Sequence, residues 1–377
     1  MTRRFPRPRR VVVKVGSASL RGPDGVDRAF LDELVAQLAR CADAGSQPVL
    51  VSSGAVAAGL GGLGLARRPP DLPSLQAAAS VGQGKLLHAY ADALAPHGRA
   101  VGQVLLTPSD VTDRTRYLNA RNTVERLLRY GAVPVVNEND TVATDELRFG
   151  DNDRLAALVA SMLGAELLLL LSDVDGVLVS QPEVGAAPQV VPQLDDPGEA
   201  ARYDFGGSSD VGTGGMTSKI EAARIAWFSS CHTVLARARR PQVIDEVVAG
   251  AEVGTWFPPS PSRPESRKLW IAFAQQPHGV IEVDPGAVEA LLRRGTSLLA
   301  AGVVAVHGTF AAGDPVDVAG PDGQIVARGL SAYDRATLER LRGRRQAEVA
   351  DSLAIDDPPE VIHRDQLIVL AAPGQPR

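Results

Sequence analysis

A chain of 377 residues is long enough for two domains, and with 45% hydrophobic residues it can bury a sizeable core. Its net charge of -5 argues against a dedicated nucleic-acid or membrane-surface protein. Cys41 and Cys231 are too few for a disulfide framework and lack Cys or His neighbours at zinc spacing, so reduced, buried thiols are expected. The six histidines (His88, His97, His232, His278, His307, His363) are scattered and make no metal motif. The basic N-terminus, MTRRFPRPRR, runs into a strand instead of an apolar h-region, and so reads as a frayed tail rather than a signal peptide. No apolar run approaches the length of a membrane span. The expectation is a cytoplasmic protein with no membrane contact.

Residues 10–15 (RVVVKV) read as a strand closed by Gly16-Ser17. Its Lys14 is costly in a buried strand unless the ammonium reaches a partner or a cavity. A helix over 27–44, stopped by Gly45, leads to a second strand over 48–51. That strand ends in Ser52-Ser53-Gly54 before the small-residue helix AVAAG, a geometry that aims backbone N–H groups at an anion. Gly59, Gly61 and Gly64 match G-x-G-x-x-G, but they follow a helix and not a strand, so no dinucleotide fingerprint is read there. A long helix over 74–94, a strand over 100–106 and a helix over 114–130 come next.

The chain is organised around 134–154, PVVNENDTVATDELRFGDNDR. The apolar run 132–136 has the length and β-branching of a buried strand. Asn137, Glu138, Asn139 and Asp140 follow at its C-terminal end, where open α/β sheets bind ligands. Asp151 is suited to capping a helix over 155–163, which leaves Asp153 in the first turn without a capping role. Two acidic clusters so close together, each at an element boundary, point to a site. A fully apolar strand over 165–171 ends at Ser172-Asp173. This alternation of strands and helices predicts a mainly parallel sheet with helices on both faces.

The glycine-rich stretch 204–219, DFGGSSDVGTGGMTSK, precedes an amphipathic helix expected over 220–229. It is not a Walker A loop, because no Gly-Lys-Ser/Thr follows a spaced glycine. Lys219 at the helix start opposes the helix dipole, a placement tolerated where an anion is held, so the stretch reads as a phosphate loop. The sheet domain, 1–257, closes with a strand over 233–237, a helix from Pro241 and a strand over 254–257. Pro258, Pro259, Pro261 and Pro264 mark a linker over 258–277. Residues 278–370 then read as a small β-rich domain with one helix over 285–294.

Two lysines at phosphate-binding ends, with carboxylate clusters and no catalytic histidine or cysteine, fit phosphoryl transfer, whose catalysis is mostly positioning and charge neutralisation. No general base is evident. A carboxylate acceptor needs none, since a pKa near ~4.3 leaves it ionised at neutral pH. The inventory therefore suggests a kinase that makes an acyl phosphate.

In this order, KVGSASL, VSSGAVAAG, VPVVNENDTVAT, FGDND, LLLLSDVDG and GTGGMTSK resemble the glutamate 5-kinases of the amino acid kinase family. The resemblance spans Val11 to about Phe257, and the NEND, GDND and GTGGM segments together are highly specific. RKLW and the domain after it resemble the PUA domain that closes longer members. The resemblance implies Lys14 and Lys219 on the transferring phosphate, with Asp153 as the carboxylate orienting both. It implies glutamate binding by Ser53, Asp140 and Asn152. ATP binding would fall to Lys14, Ser172 and Asp173, together with Thr213, Gly214, Gly215, Met216, Thr217, Ser218 and Lys219. Gly54 at a helix start suits an α-carboxylate, and Asp140 suits an ammonium. The implied cofactor is ATP with Mg²⁺ held largely by ATP itself, so no protein metal ligand is assigned. Ala18 stands where relatives often carry a hydroxyl residue, a departure that bears on one phosphate contact of the first loop and not on the assignment.

The family further implies a homo-oligomer, proline as feedback inhibitor and hand-over of the product to glutamyl phosphate reductase. A sibling kinase acting on N-acetylglutamate, aspartate, carbamate or UMP would share the sheet and lysines, but Asp140 favours a substrate with an ammonium. The other rival is an RNA-binding PUA protein. From His278 onward, 10 arginines and no lysine stand against 14 acidic residues, an excess of four negative charges that opposes it. The cluster Arg340, Arg342, Arg344 and Arg345 reads as the exposed face of one helix.

Overall fold

The run RVVVKV becomes strand β1 (Arg10–Val15), the middle of a seven-stranded sheet. β-Branched side chains fit a pleated, packed surface, and every residue from Val11 to Val15 is buried. The structure is a computed structural model and describes residues 5–22, 25–107, 110–111, 113–142, 152–179, 189–202, 215–260 and 277–370. It contains two compact units, residues 1–263 and 264–377. Of the linker expected over 258–277, residues 261–276, RKLW included, lie outside the described residues.

In the first unit β1 is followed by α1 (Ser17–Leu20), α2 (Arg28–Asp43), β2 (Gln47–Ser52), α3 (Ala55–Leu60) and α4 (Leu72–Leu94). Then come β3 (Val101–Leu106), α5 (Arg114–Arg129), β4 (Val133–Glu138), α6 (Asn152–Leu163) and β5 (Leu167–Ser172). A two-stranded ladder, β6 (Leu178–Val179) with β7 (Gln189–Val190), stands apart from the main sheet. The unit ends with α7 (Met216–Phe228), β8 (His232–Arg237), α8 (Val243–Val248) and β9 (Thr255–Phe257). The sheet order is β3-β4-β2-β1-β5-β8-β9, all parallel except β9 against β8. The mainly parallel α/β sheet is as expected.

Side chains alternate across a strand. Val11, Val13 and Val15 join one apolar cluster with residues of α2, α4 and α8. Lys14, between two of them, faces the other side, where α6 packs on β1 and against α7. The sheet thereby carries a lysine to the base of α6, because the valines on either side fix its direction.

Aspartates cap several helices by accepting from backbone N–H groups: Asp27 from Phe30, Asp71 from Ser74 and Asp113 from Arg116. Helix α7 starts at Met216, earlier than the expected 220, and is not amphipathic. Within it only Thr217 is exposed, because α6, residues 197–202 and β8 pack around it, and Ala222, Ala223 and Ala226 let them approach. Gly59 belongs to helix packing, not to a phosphate fingerprint. A Cβ at Gly59 would lie 1.8 Å from the Ala78 carbonyl oxygen, and one at Gly82 would lie 1.7 Å from that of Ala55. Helices α3 and α4 touch backbone to backbone through these two glycines.

The second unit has its own core and a five-stranded sheet. Its strands are β10 (Gly279–Val283), β11 (Val303–Gly308), β12 (Pro315–Ala319), β13 (Ile325–Leu330) and β14 (Leu367–Val369), in the order β11-β10-β12-β13-β14. The expectation of a single helix falls short. Besides α9 (Pro285–Glu289), continued by a π-helical turn to Arg294, the unit holds α10 (Arg335–Leu341) and α11 (Gln346–Leu353). The arginine cluster is therefore not one helix face. Arg340 lies in the last turn of α10, Arg342 is its C-cap, and Arg345 is the N-cap of α11. Gly343, at φ +73°, makes the break that the arginine spacing hides.

Gly82→Ala tests the α3–α4 contact. In an open helix this change adds up to about 1 kcal/mol of stability. Here it should instead cost about 2–3 kcal/mol by overpacking, read as a lower urea midpoint.

Candidate active site

The C-terminal ends of β1, β2, β4 and β5 border a cavity of about 460 Å³. Lys14, Ser53, Asp140, Asn152, Asp173 and Lys219 are among its lining residues, so positions far apart in sequence converge there. Gly54 and Ser172 line it as well. A cavity of about 730 Å³ lies in the second unit, with Asp284, Glu360, His363 and Arg364 on its walls, and none of its described lining residues is a lysine.

The centre is a buried carboxylate with an ammonium on each oxygen. Lys14 Nζ lies 2.5 Å from Asp153 Oδ1, and Lys219 Nζ lies 3.2 Å from Asp153 Oδ2. Asp153 is 0% exposed, Lys14 4% and Lys219 8%. The Ser218 hydroxyl is 3.2 Å from Asp153 Oδ2 and 2.9 Å from the Gly215 carbonyl oxygen. Three elements meet here: β1 brings Lys14, the first turn of α6 brings Asp153, and the first turn of α7 brings Ser218 and Lys219. The trio carries one net positive charge next to the cavity, which suits an anion with equatorial oxygens to neutralise.

Beside it runs a polar network. Asn152 Nδ2 donates to the Ser52 carbonyl oxygen at 2.9 Å and to Asn137 Oδ1 at 2.8 Å, and lies 3.0 Å from Ser53 Oγ. The Ser52 hydroxyl is 2.9 Å from the Tyr90 hydroxyl of α4. Tyr90 is fully buried, and that burial pushes its phenol up, so it stays neutral. Gly54 has φ +95° and is the N-cap of α3, a left-handed turn for which glycine is suited. The Ser172 hydroxyl donates to Asp173 Oδ1 at 2.9 Å.

Of the predicted nucleotide residues, Gly215 is the N-cap of α7, and Met216, Thr217 and Ser218 form its first turn with Lys219. Thr213 and Gly214 lie outside the described residues, as does Asp151. Sequence reasoning missed Asn137 as a site residue, because it ends the strand at 136. The strand instead runs on to Glu138, and Asn137 is buried within it. It also missed Arg21, Arg67 and Arg68, which line the cavity, and Gln83 of α4, which bonds Asn137. The Arg67-Arg68 pair after the glycine-rich turn was the only visible signal. Cys41 and Cys231 are free and buried, and burial raises both thiols, so neither is a nucleophile.

A model of the amino acid kinase family matches residues 9–236, and a PUA-domain model matches residues 279–353. The chain is 51% identical over 366 residues to a curated glutamate 5-kinase of Frankia casuarinae, covering 96% of this chain and 97% of the relative. It is 50% identical over 374 residues to that of Salinispora arenicola, covering 98% and 100%. To that of Syntrophotalea carbinolica it is 44% identical over 362 residues, covering 96% and 97%.

The charge arrangement makes an asymmetric prediction. Asp153→Ala removes the buried carboxylate that both near-buried ammonium groups share and should cost about 3–5 kcal/mol. Lys14→Met leaves Asp153 still paired with Lys219 and should cost clearly less. Urea unfolding of the two variants checks the order; equal losses would mean that the lysines do not share the carboxylate.

Proposed function

The chain belongs to the amino acid kinase family, and we propose that it phosphorylates the γ-carboxylate of L-glutamate with ATP. The product is L-glutamyl 5-phosphate, for proline biosynthesis. The observation that carries this reading is the pair of near-buried ammonium groups on Asp153 beside the cavity, in a chain sharing about half its residues with curated glutamate 5-kinases.

Glutamate's γ-carboxylate attacks the γ-phosphorus in line, and the leaving ADP departs from the opposite side. Lys14 and Lys219 neutralise the equatorial oxygens, where charge builds in the transition state. Asp153 holds both ammonium groups at the working spacing and touches neither substrate. The acceptor arrives already ionised, which matches the described lining residues, none of which is a histidine or cysteine. Asp140 meets the substrate's ammonium, with Ser53, Gly54 and Asn152 around the amino-acid end. Ser172, Asp173 and the Thr213–Lys219 segment hold the nucleotide. Mg²⁺, carried by ATP, would supply further charge neutralisation on the phosphates. Proline, a cyclic amino acid with the same ammonium and α-carboxylate, competes at the glutamate end. The acyl phosphate passes to glutamyl phosphate reductase, and the protein works as a homo-oligomer in the cytoplasm.

The direct experiment is ATP turnover with glutamate, trapping the acyl phosphate with hydroxylamine. A glutamate-dependent hydroxamate is expected, and its absence with active protein would remove the assignment. Lys14→Met and Lys219→Met should each lower kcat by orders of magnitude with modest change in the KM for ATP. A variant retaining near-normal kcat would make that lysine structural. Since all the assigned chemistry precedes the linker, a chain cut near Pro264 should fold and still form the hydroxamate; a folded but dead truncation would move part of the site into the second unit.

A further inference from the structure

Three side-chain amides form a chain from α4 to α6. Gln83 Oε1 accepts from Asn137 Nδ2 at 2.8 Å, and Asn137 Oδ1 accepts from Asn152 Nδ2 at 2.8 Å. The oxygen and nitrogen of such amides are told apart by their partners. Here two partners are backbone groups whose roles are fixed. The Ser52 carbonyl can only accept, so the end of Asn152 that lies 2.9 Å from it must be the amino group. The Glu138 backbone N–H can only donate, so the end of Asn137 that lies 2.9 Å from it must be the oxygen.

The polarity of the whole chain follows. The Asn152 amino group faces three acceptors, the Ser52 carbonyl, Asn137 Oδ1 and Ser53 Oγ, so both of its hydrogens are committed within the protein. Its Oδ1 is left as an acceptor with no partner among the described residues, at a position lining the cavity together with Asp140. A carbonyl oxygen attracts an N–H donor and repels a carboxylate. Gln83 is the far end of this arrangement, on a helix fixed against α3 by the Gly59 and Gly82 contacts. Asn137 is 2% exposed, so its amino group has no ready water to replace Gln83.

We propose that Gln83 is a positioning residue for the acceptor amino acid, acting through Asn137 to hold Asn152 with its carbonyl oxygen toward the substrate's ammonium. The proposal rests on reading this cavity as the glutamate site. It makes the amide chain a specificity device, favouring acceptors with a free ammonium over dicarboxylates that lack one. Without Gln83, the Asn137 amino group is left unpaired in a buried place, and its grip on Asn152 loosens.

The test compares full-length wild type, Gln83→Leu and Gln83→Glu, with glutamate and glutarate as acceptors and hydroxamate as the readout. A glutamate side chain still offers Asn137 an acceptor; leucine does not. Gln83→Leu should raise the KM for glutamate about tenfold and erode the preference for glutamate over glutarate about tenfold. Its kcat and its KM for ATP should stay within about twofold of wild type, and Gln83→Glu should keep a near-wild-type KM for glutamate. The proposal fails if Gln83→Leu keeps the wild-type KM and preference, or if Gln83→Glu is damaged equally. It also fails if Gln83→Leu raises both substrates' KM while lowering Tm, the signature of a merely structural residue. A wild-type chain inactive on glutamate overturns the functional reading and this proposal together; an active wild type with an unchanged Gln83→Leu overturns this proposal alone.

Discussion

One buried carboxylate holds the active region together. Two ammonium groups at the end of a cavity repel each other, and nothing in a parallel sheet forces a lysine of β1 toward a lysine of α7. Asp153 does so by offering one oxygen to each. As a source of stability such an arrangement is a poor choice, since well-packed apolar side chains of similar volume are often as stable or more so. Its retention therefore makes sense as chemistry. One anion between two cations leaves a single net positive charge, which in the proposed reaction a transferring phosphoryl group neutralises.

The sheet supplies the rest by geometry. Because β1 is central and its valines at 11, 13 and 15 must face the large apolar cluster, Lys14 has only one direction open to it. Because β2 and β4 run parallel in the same sheet, Ser52 and Asn137 come to the same edge, within reach of one amide on α6. The polar groups at these strand ends are thus committed to one another before a ligand arrives. Such preorganisation is what lets a site act on charge developing in a reaction without first rearranging.

Much of this was legible in the sequence, and the reasons differ by element. Strands such as LLLLL and VVVKV announce themselves by β-branching and apolar runs, so the parallel sheet and the ends that bind ligands could be placed. Lys14, Asp153 and Lys219 stood out because each is a charge where the local pattern has no use for one. Asn137 did not, because a polar residue after an apolar run looks like a turn; only pairing with β3 shows that β4 continues through it. Gln83, on a long helix, looked like any half-buried side chain, since its partner is 54 positions away. The tight α3–α4 crossing was hidden for the same reason: a glycine inside a helix reads as a weak spot until the neighbouring carbonyl is known.

The acceptor explains what the cavity does without. A hydroxyl nucleophile would require a base tuned near neutrality, and histidine is the usual means. His232, on β8 of the main sheet, is used differently: it stacks on Phe5 and Trp256, and its ring accepts a hydrogen bond from Trp256. Burial lowers its pKa, so it is neutral at physiological pH and serves packing. A carboxylate needs no such base, only a place where its own charge and that of the phosphate can approach. The difficulty of the reaction is thus bringing two anions together, and in the proposed mechanism two lysines on one aspartate answer that difficulty where a histidine would not.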